Sequence, residues 1–179
     1  MRSKRYLKDY QLTPEVTAKG RLSPVASYVG AYHRFTAEPE TLARAKKAYT
    51  ILTAAAVVLL VLQLWYTDLM DREHRWLLLP MAFNVFPGFG VVMGVLRLRT
   101  APERMTLKQR DRICNRLPAF SFGLMAFALL SLAATVAQLI LNGFSLPAAL
   151  YCADALALSV LSVFIFRLRR VLKTEIISA

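Results

Sequence analysis

The stretch Trp76–Leu96, WLLLPMAFNVFPGFGVVMGVL, constrains this chain more than any other. It carries no charge, and its length at 1.5 Å rise per residue reaches roughly 30 Å, the thickness of a hydrocarbon core. Pro80, Asn84, Pro87, Gly88, Gly90 and Gly94 sit inside it, a mixture no soluble helix needs. Pro87 cannot donate to the carbonyl of Phe83, and Gly88 beside it adds freedom, so a kink is expected there, tolerable in lipid only where neighbouring groups cover the freed backbone. Gly90 and Gly94 form a G-x-x-x-G pair, a bare strip of backbone that a second helix can approach closely.

Three further apolar runs have spanning length. The predicted spans are 48–66, 76–96, 117–141 and 146–166, two antiparallel helical hairpins. Pro39 and Glu40 open a helix that runs straight into the first span, and Tyr49, Trp65 and Tyr66 mark its rims. Of 179 residues, 56% are hydrophobic, and 23 Lys plus Arg against 11 acids give a net charge of +12. The distribution of that charge decides its meaning: 21 of the basic residues fall before the first span, between spans two and three, or after the fourth, and 2 fall in the remaining loops. By the positive-inside rule both termini and the middle loop are cytoplasmic, in a multi-pass cell-membrane protein. The basic charge is then an address and a lure for anionic lipid, and needs no nucleic acid. The middle-loop segment 102–115 reads either as a basic surface helix or as a solvated segment with a thin apolar face of Met105, Ile113 and Cys114.

Ahead of the spans, residues 6–35 read as two runs rich in aromatic and β-branched residues around a Lys19-Gly20 turn, a cytoplasmic β-hairpin. Pro14 and Pro24 cannot donate to a ladder, which marks both strands as edges. Tyr6, Tyr10, Tyr28, Tyr32 and Phe35 are candidates for docking a partner, against the alternative of a loosely ordered tail. Residues 169–179 read as a basic cytoplasmic tail.

Catalytic motifs are missing: there is no Walker loop, nucleophile elbow, H-E-x-x-H, or Ser/His/Asp set with its histidine near a span. Cys114 and Cys152 belong to different depths and form no C-x-x-C, which excludes the membrane thiol oxidoreductases and leaves two free thiols. His33 has no Cys, Asp or Glu at ligand spacing, so neither a metal nor a cofactor is expected. Similar starts at Leu79-Pro80 and Leu146-Pro147, and similar ends at Arg97-Leu98-Arg99 and Arg167-Leu168-Arg169, suggest an internal repeat, with coincidence between basic-flanked apolar helices as the alternative.

One constellation draws attention. Gln63, Asn84, Gln138 and Asp154 all fall in the outer half of their spans, and Asp154 is the only acid or base inside any of them. A carboxylate there costs about 2.5–3.5 kcal/mol on insertion scales, so it is expected to face the interior with a partner, Asn84 being the first candidate. The group reads either as interhelical glue or as an outward-facing polar site. The expectation is an all-α integral membrane protein acting as a non-enzymatic subunit or interaction protein, homo-oligomeric or bound to a membrane-protein partner. The alternative is a small transporter or ligand-binding module built around Asp154.

Overall fold

The structure, a computed structural model, describes residues 9–16, 22–66 and 77–177. Strands β1 (Tyr10–Val16) and β2 (Leu22–Tyr28) form the antiparallel hairpin; the Lys19-Gly20 turn lies outside the described residues. Val29 N–H donates to Asp9 C=O, and Asp9 and Val29 would be the next rung beyond Tyr10–Tyr28. Counting rungs inward, alternation places Tyr10–Tyr28 and Pro14–Pro24 on non-hydrogen-bonded pairs. The two prolines therefore face each other where the ladder asks neither for a donor, and the tyrosines meet where side chains stand closest, their rings edge-to-face at 5.2 Å.

Helix α1 (Pro39–Tyr66) is followed by α2 (Leu78–Arg99), a short α3 (Leu107–Arg110), a π turn (Asp111–Asn115), α4 (Arg116–Asn142), α5 (Leu146–Arg167) and a 3-10 segment (Leu168–Leu172). Among the described residues, three stretches are long and apolar enough to cross a membrane: Pro39–Trp65, Leu107–Leu141 and Leu146–Leu172. Thr106 opens α3 with a capping box, its hydroxyl accepting from Gln109 N–H while the Gln109 side chain accepts from Thr106 N–H. Between α4 and α5, Gly143 takes a positive φ of 77°, and Ser145 accepts from Ala148 N–H to start α5 with Pro147 in its first turn.

The long helices form a ring in which α2 packs on α4, α4 on α5, α5 on α1 and α1 on α2. Along the α2–α4 seam, Asn84 meets Ser131, Pro87 faces Gly123, Gly90 lies under Phe120 and Gly94 under Leu117, so the two helices run antiparallel. A methyl group added at Gly90 would fall inside the Phe120 ring, and one at Gly94 would come within 2.8 Å of Leu117. The G-x-x-x-G strip thus serves close approach within the chain. Outside, all four long helices expose large apolar side chains, among them Ile51 and Val61 on α1, Phe86 on α2, Ile140 on α4 and Phe164 on α5. That surface suits hydrocarbon and no other solvent.

At one end of the bundle a cap departs from the sequence reading. Strand β3 (Tyr32–Phe35), expected within the hairpin's second run, pairs instead with β4 (Thr174–Ile177) from the chain's last residues, Tyr32 opposite Ile177 and Phe35 opposite Thr174. On its other edge, His33 and Met105 exchange backbone hydrogen bonds of 2.9 and 2.8 Å. The expected basic tail is thereby partly a strand, because Thr174–Ile177 is β-branched and β3 offers it a free edge. Residues 102–115 are anchored by two side chains, Met105 and Ile113, buried with Phe35 and Leu172 in a core continuous with the bundle, while Pro102, Glu103, Arg104, Lys108, Gln109, Arg112 and Asn115 stay exposed.

Two outcomes follow from this packing. Replacing Gly90 and Gly94 by Leu should cost about 1–3 kcal/mol per site through overpacking at the α2–α4 seam, read as a lower Tm in detergent at unchanged oligomeric state; an unaltered Tm would show that the seam has slack. His33 is pushed below its ordinary pKa by burial and then by the Arg110 charge. A depressed histidine contributes stability that is present above about pH 6.5 and is lost as pH falls through its folded value. Hydrogen exchange at the β3 and β4 amides, corrected for intrinsic rate, should therefore accelerate between pH 7.5 and 5.5, and His33→Gln should remove that dependence.

Candidate functional site

The interior of the bundle has two halves of opposite character. Toward the cap it is mainly apolar, with Tyr49 and Ala56 from α1, Val91, Val95 and Leu98 from α2, Leu117, Leu124 and Ala128 from α4, and Leu158 and Ile165 from α5 joined in one cluster, among which Thr53, Ser121, Ser159 and Ser162 are also buried. Toward the far end the buried positions turn polar: Gln63 on α1, Asn84 on α2, Ser131, Thr135 and Gln138 on α4, Tyr151 and Asp154 on α5. Each helix arrives at this by periodicity. On α4, Leu124, Ala128, Ser131, Thr135 and Gln138 recur at three- and four-residue intervals along one buried face, apolar first and polar after.

The hydroxyls in this region are largely satisfied by their own helices. Ser131 donates to Phe127 C=O at 2.9 Å and Thr135 to Ser131 C=O at 2.7 Å. Longer side chains cannot close on their own backbone in that way. Asn84 spends its amide donor on Ser131 Oγ at 2.8 Å, leaving its Oδ1 without a partner. Asp154 is 6% exposed, and the Gln63 carboxamide, 1% exposed on the facing helix, approaches its carboxyl without standard hydrogen-bond geometry. Tyr151, one turn before Asp154 on α5, is fully buried with its hydroxyl unpartnered.

The structure thus places Asp154 beside Gln63 and Tyr151 and turns Asn84 to Ser131, in place of the Asn84–Asp154 pairing read from the sequence. Gln138 is buried on α4 with its amide nitrogen unpartnered. Tyr151 escaped the sequence reading. Its signal was its spacing, since position 151 lies three residues before Asp154 and so shares its face.

The residues singled out for docking divide. Tyr6 lies outside the described residues. Phe35 is buried in the core, and Tyr32 stacks edge-to-face on Tyr28 at 5.1 Å. The Tyr28 hydroxyl donates to Ala31 C=O and accepts from Leu107 N–H, tying the base of the hairpin to α3. Of the packing residues, Pro87, Gly88, Gly90 and Gly94 are all buried against neighbouring helices, Gly88 beside Leu60 of α1. Cys114 and Cys152 are free thiols, and no group of three His, Cys, Asp or Glu among the described residues could hold a metal ion. Comparison with protein-family models, with curated proteins and with solved structures finds no match to this chain.

The Asn84–Ser131 bond gives this half of the interior a measurable scale. Asn84→Ala and Ser131→Ala should each lower unfolding stability modestly, and a double-mutant cycle in detergent should return a coupling of about 0.6 kcal/mol, the average for interhelical hydrogen bonds in membranes. A coupling of zero would show that the bond does not hold α2 to α4.

Proposed function

We propose that this is a four-span membrane protein with both termini cytoplasmic, acting as a non-enzymatic subunit or interaction protein through the hairpin that projects from its cap. Support for the fourth span comes from α2 itself: its 22 residues reach roughly 33 Å, and its outer face exposes Leu79, Phe83, Phe86 and Phe89 as the other helices expose theirs. Support for the orientation comes from basic crevices at the cap end, lined by Lys46, Lys47 and Arg99, by Arg97, Arg112 and Arg116, and by Arg110, Arg169, Arg170 and Lys173. Such a rim draws anionic lipid headgroups.

The observation that carries the interaction reading is how the hairpin is mounted. Its base is fastened through Tyr28 to α3, while the structural business of the N-terminal segment is done by β3, which the cap consumes. An arm that is fastened at its root is suited to reach a partner. The experiment is a truncation that respects this division: removing residues 1–29 deletes the arm and spares β3. The shortened protein should insert and melt within a few degrees of full length, while affinity capture from native membranes should lose a cytoplasmic partner that full-length protein retains. An unchanged set of co-purifying proteins would refute docking through the hairpin.

A second reading is favoured by one observation, the buried and unpartnered polar atoms around Asp154. Glue is expected to be paired. Groups left unpaired at this depth suit a small-ligand site open to the far, outer end and closed beneath by the apolar half.

A further inference from the structure

A crevice on the outside of the bundle joins an apolar surface to a cationic one. It lies along the α2–α4 seam with a volume of about 200 Å³, lined in part by Gly90 and Gly94, where α2 carries no side chain. On α2 its wall is Phe89, Met93 and Arg97, one residue per turn at four-residue spacing. On α4 the wall is Arg116, Leu117 and Phe120. Because the two helices run antiparallel, both walls change character in the same sense, aromatic away from the cap and guanidinium toward it. The eight-residue step from Phe89 to Arg97 covers about 12 Å of helix axis. Arg112, from the π turn, adds a third cation at the cap end.

The two ends ask for different chemistry. Phe89 is 67% exposed and Phe120 40%, on the surface suited to hydrocarbon, so the aromatic end matches an alkyl chain and gives a soluble anion nothing to bind. At the other end, guanidinium forks match phosphate oxygens two at a time. Arg97 and Arg112 continue into an adjoining crevice of about 160 Å³, made polar by Thr100 and Gln109. Chain, phosphate and polar head in that order describe a glycerophospholipid. Among the described residues no acid lines either crevice, so a zwitterionic lipid would set its own ammonium against arginine, whereas an anionic one does not.

We infer that this crevice holds one anionic glycerophospholipid from the leaflet at the cap, its phosphate among Arg97, Arg112 and Arg116 and one acyl chain against Phe89, Met93 and Phe120. Such a seat rests on the orientation proposed above and is narrower than attraction to a basic rim. The lipid bridges two helices, taking Arg97 from α2 and Arg116 from α4.

The test uses full-length protein in neutral detergent at constant ionic strength, with phosphatidylglycerol or phosphatidylcholine added to the micelles. At about 100 times its Kd, phosphatidylglycerol should raise Tm saturably, on the order of 5–10 °C, and phosphatidylcholine should not. Arg112→Gln with Arg116→Gln, both at exposed positions, should keep the fold and move the midpoint about tenfold higher. Lys46→Gln with Lys47→Gln, in a different crevice of the rim, should leave the midpoint in place. Glycerol phosphate, a headgroup without chains, should give no shift. In wild type, phosphatidylglycerol with a diazirine part-way along one acyl chain should label Phe89, Met93 or Phe120 in preference to outward residues of α1 and α5. Equal losses in the arginine and lysine variants refute the seat and keep the basic rim with its orientation. Equal Tm in the two lipids removes both. A full response to glycerol phosphate, or label spread evenly over the four long helices, overturns the bound lipid.

Discussion

Hydrocarbon offers no hydrogen bonds, and that single fact arranges this molecule. A helix in lipid must turn apolar side chains outward and place any polar group against its neighbours, the reverse of a soluble bundle. The chain obeys on every long helix: Phe86, Ile140 and Phe164 stand exposed while Asn84, Gln138 and Asp154 are buried. Because lipid tails are as apolar as leucine, burying such residues as Val91 gains little here, and cohesion falls to close van der Waals fit and internal polar contacts. The α2–α4 seam uses both in one line, with Asn84 on Ser131 at one end and glycine backbones under Phe120 and Leu117 at the other.

The cap resolves a different problem. Its residues lie beyond the ends of the four long helices, where apolar burial regains its force. Phe35, Met105, Ile113 and Leu172 come from three distant parts of the sequence and are buried together with the bundle's mainly apolar half. The pairing of β3 with β4 brings Thr174–Ile177 back to the segment just ahead of α1, and Arg110 fixes the join by donating to Thr174 Oγ1 at 3.0 Å. One rigid end thus anchors four helices, and the π turn at Asp111–Asn115 lets the chain swing from the cap into α4 without breaking its helical hydrogen bonding.

The helices were legible in the sequence because membrane spans are specified locally: length, absence of charge and basic flanks are all properties of contiguous residues. The hairpin was legible for the same reason, down to its strand-rich runs. What escaped was non-local. Nothing in TEII announces that it will pair with YHRF some 140 residues earlier, and Met105 reads as one apolar residue in a basic loop until His33 is placed across from it. The polar group around Asp154 was half legible. Depth along each span could be counted, so the four residues could be assigned to one half. The rotation of each helix could not, and it is rotation that sends Asn84 to Ser131 and turns Gln63 toward Asp154.

The division of the interior bears on what kind of device a four-helix unit of this size can be. From Leu124 and Leu158 to Leu98 and Ile165 the buried side chains are mainly apolar, interrupted by Thr53, Ser121, Ser159 and Ser162, and the three serines close on carbonyls of their own helices. Helices α1 and α5 both run on into the cap, α1 from Pro39 just after β3 and α5 through Leu172 into β4. The same two elements that hold Asp154 therefore carry the two strands whose pairing closes the opposite end. This is a contiguous physical link between the polar half of the bundle and the mount of the hairpin, and it is the shortest the topology allows.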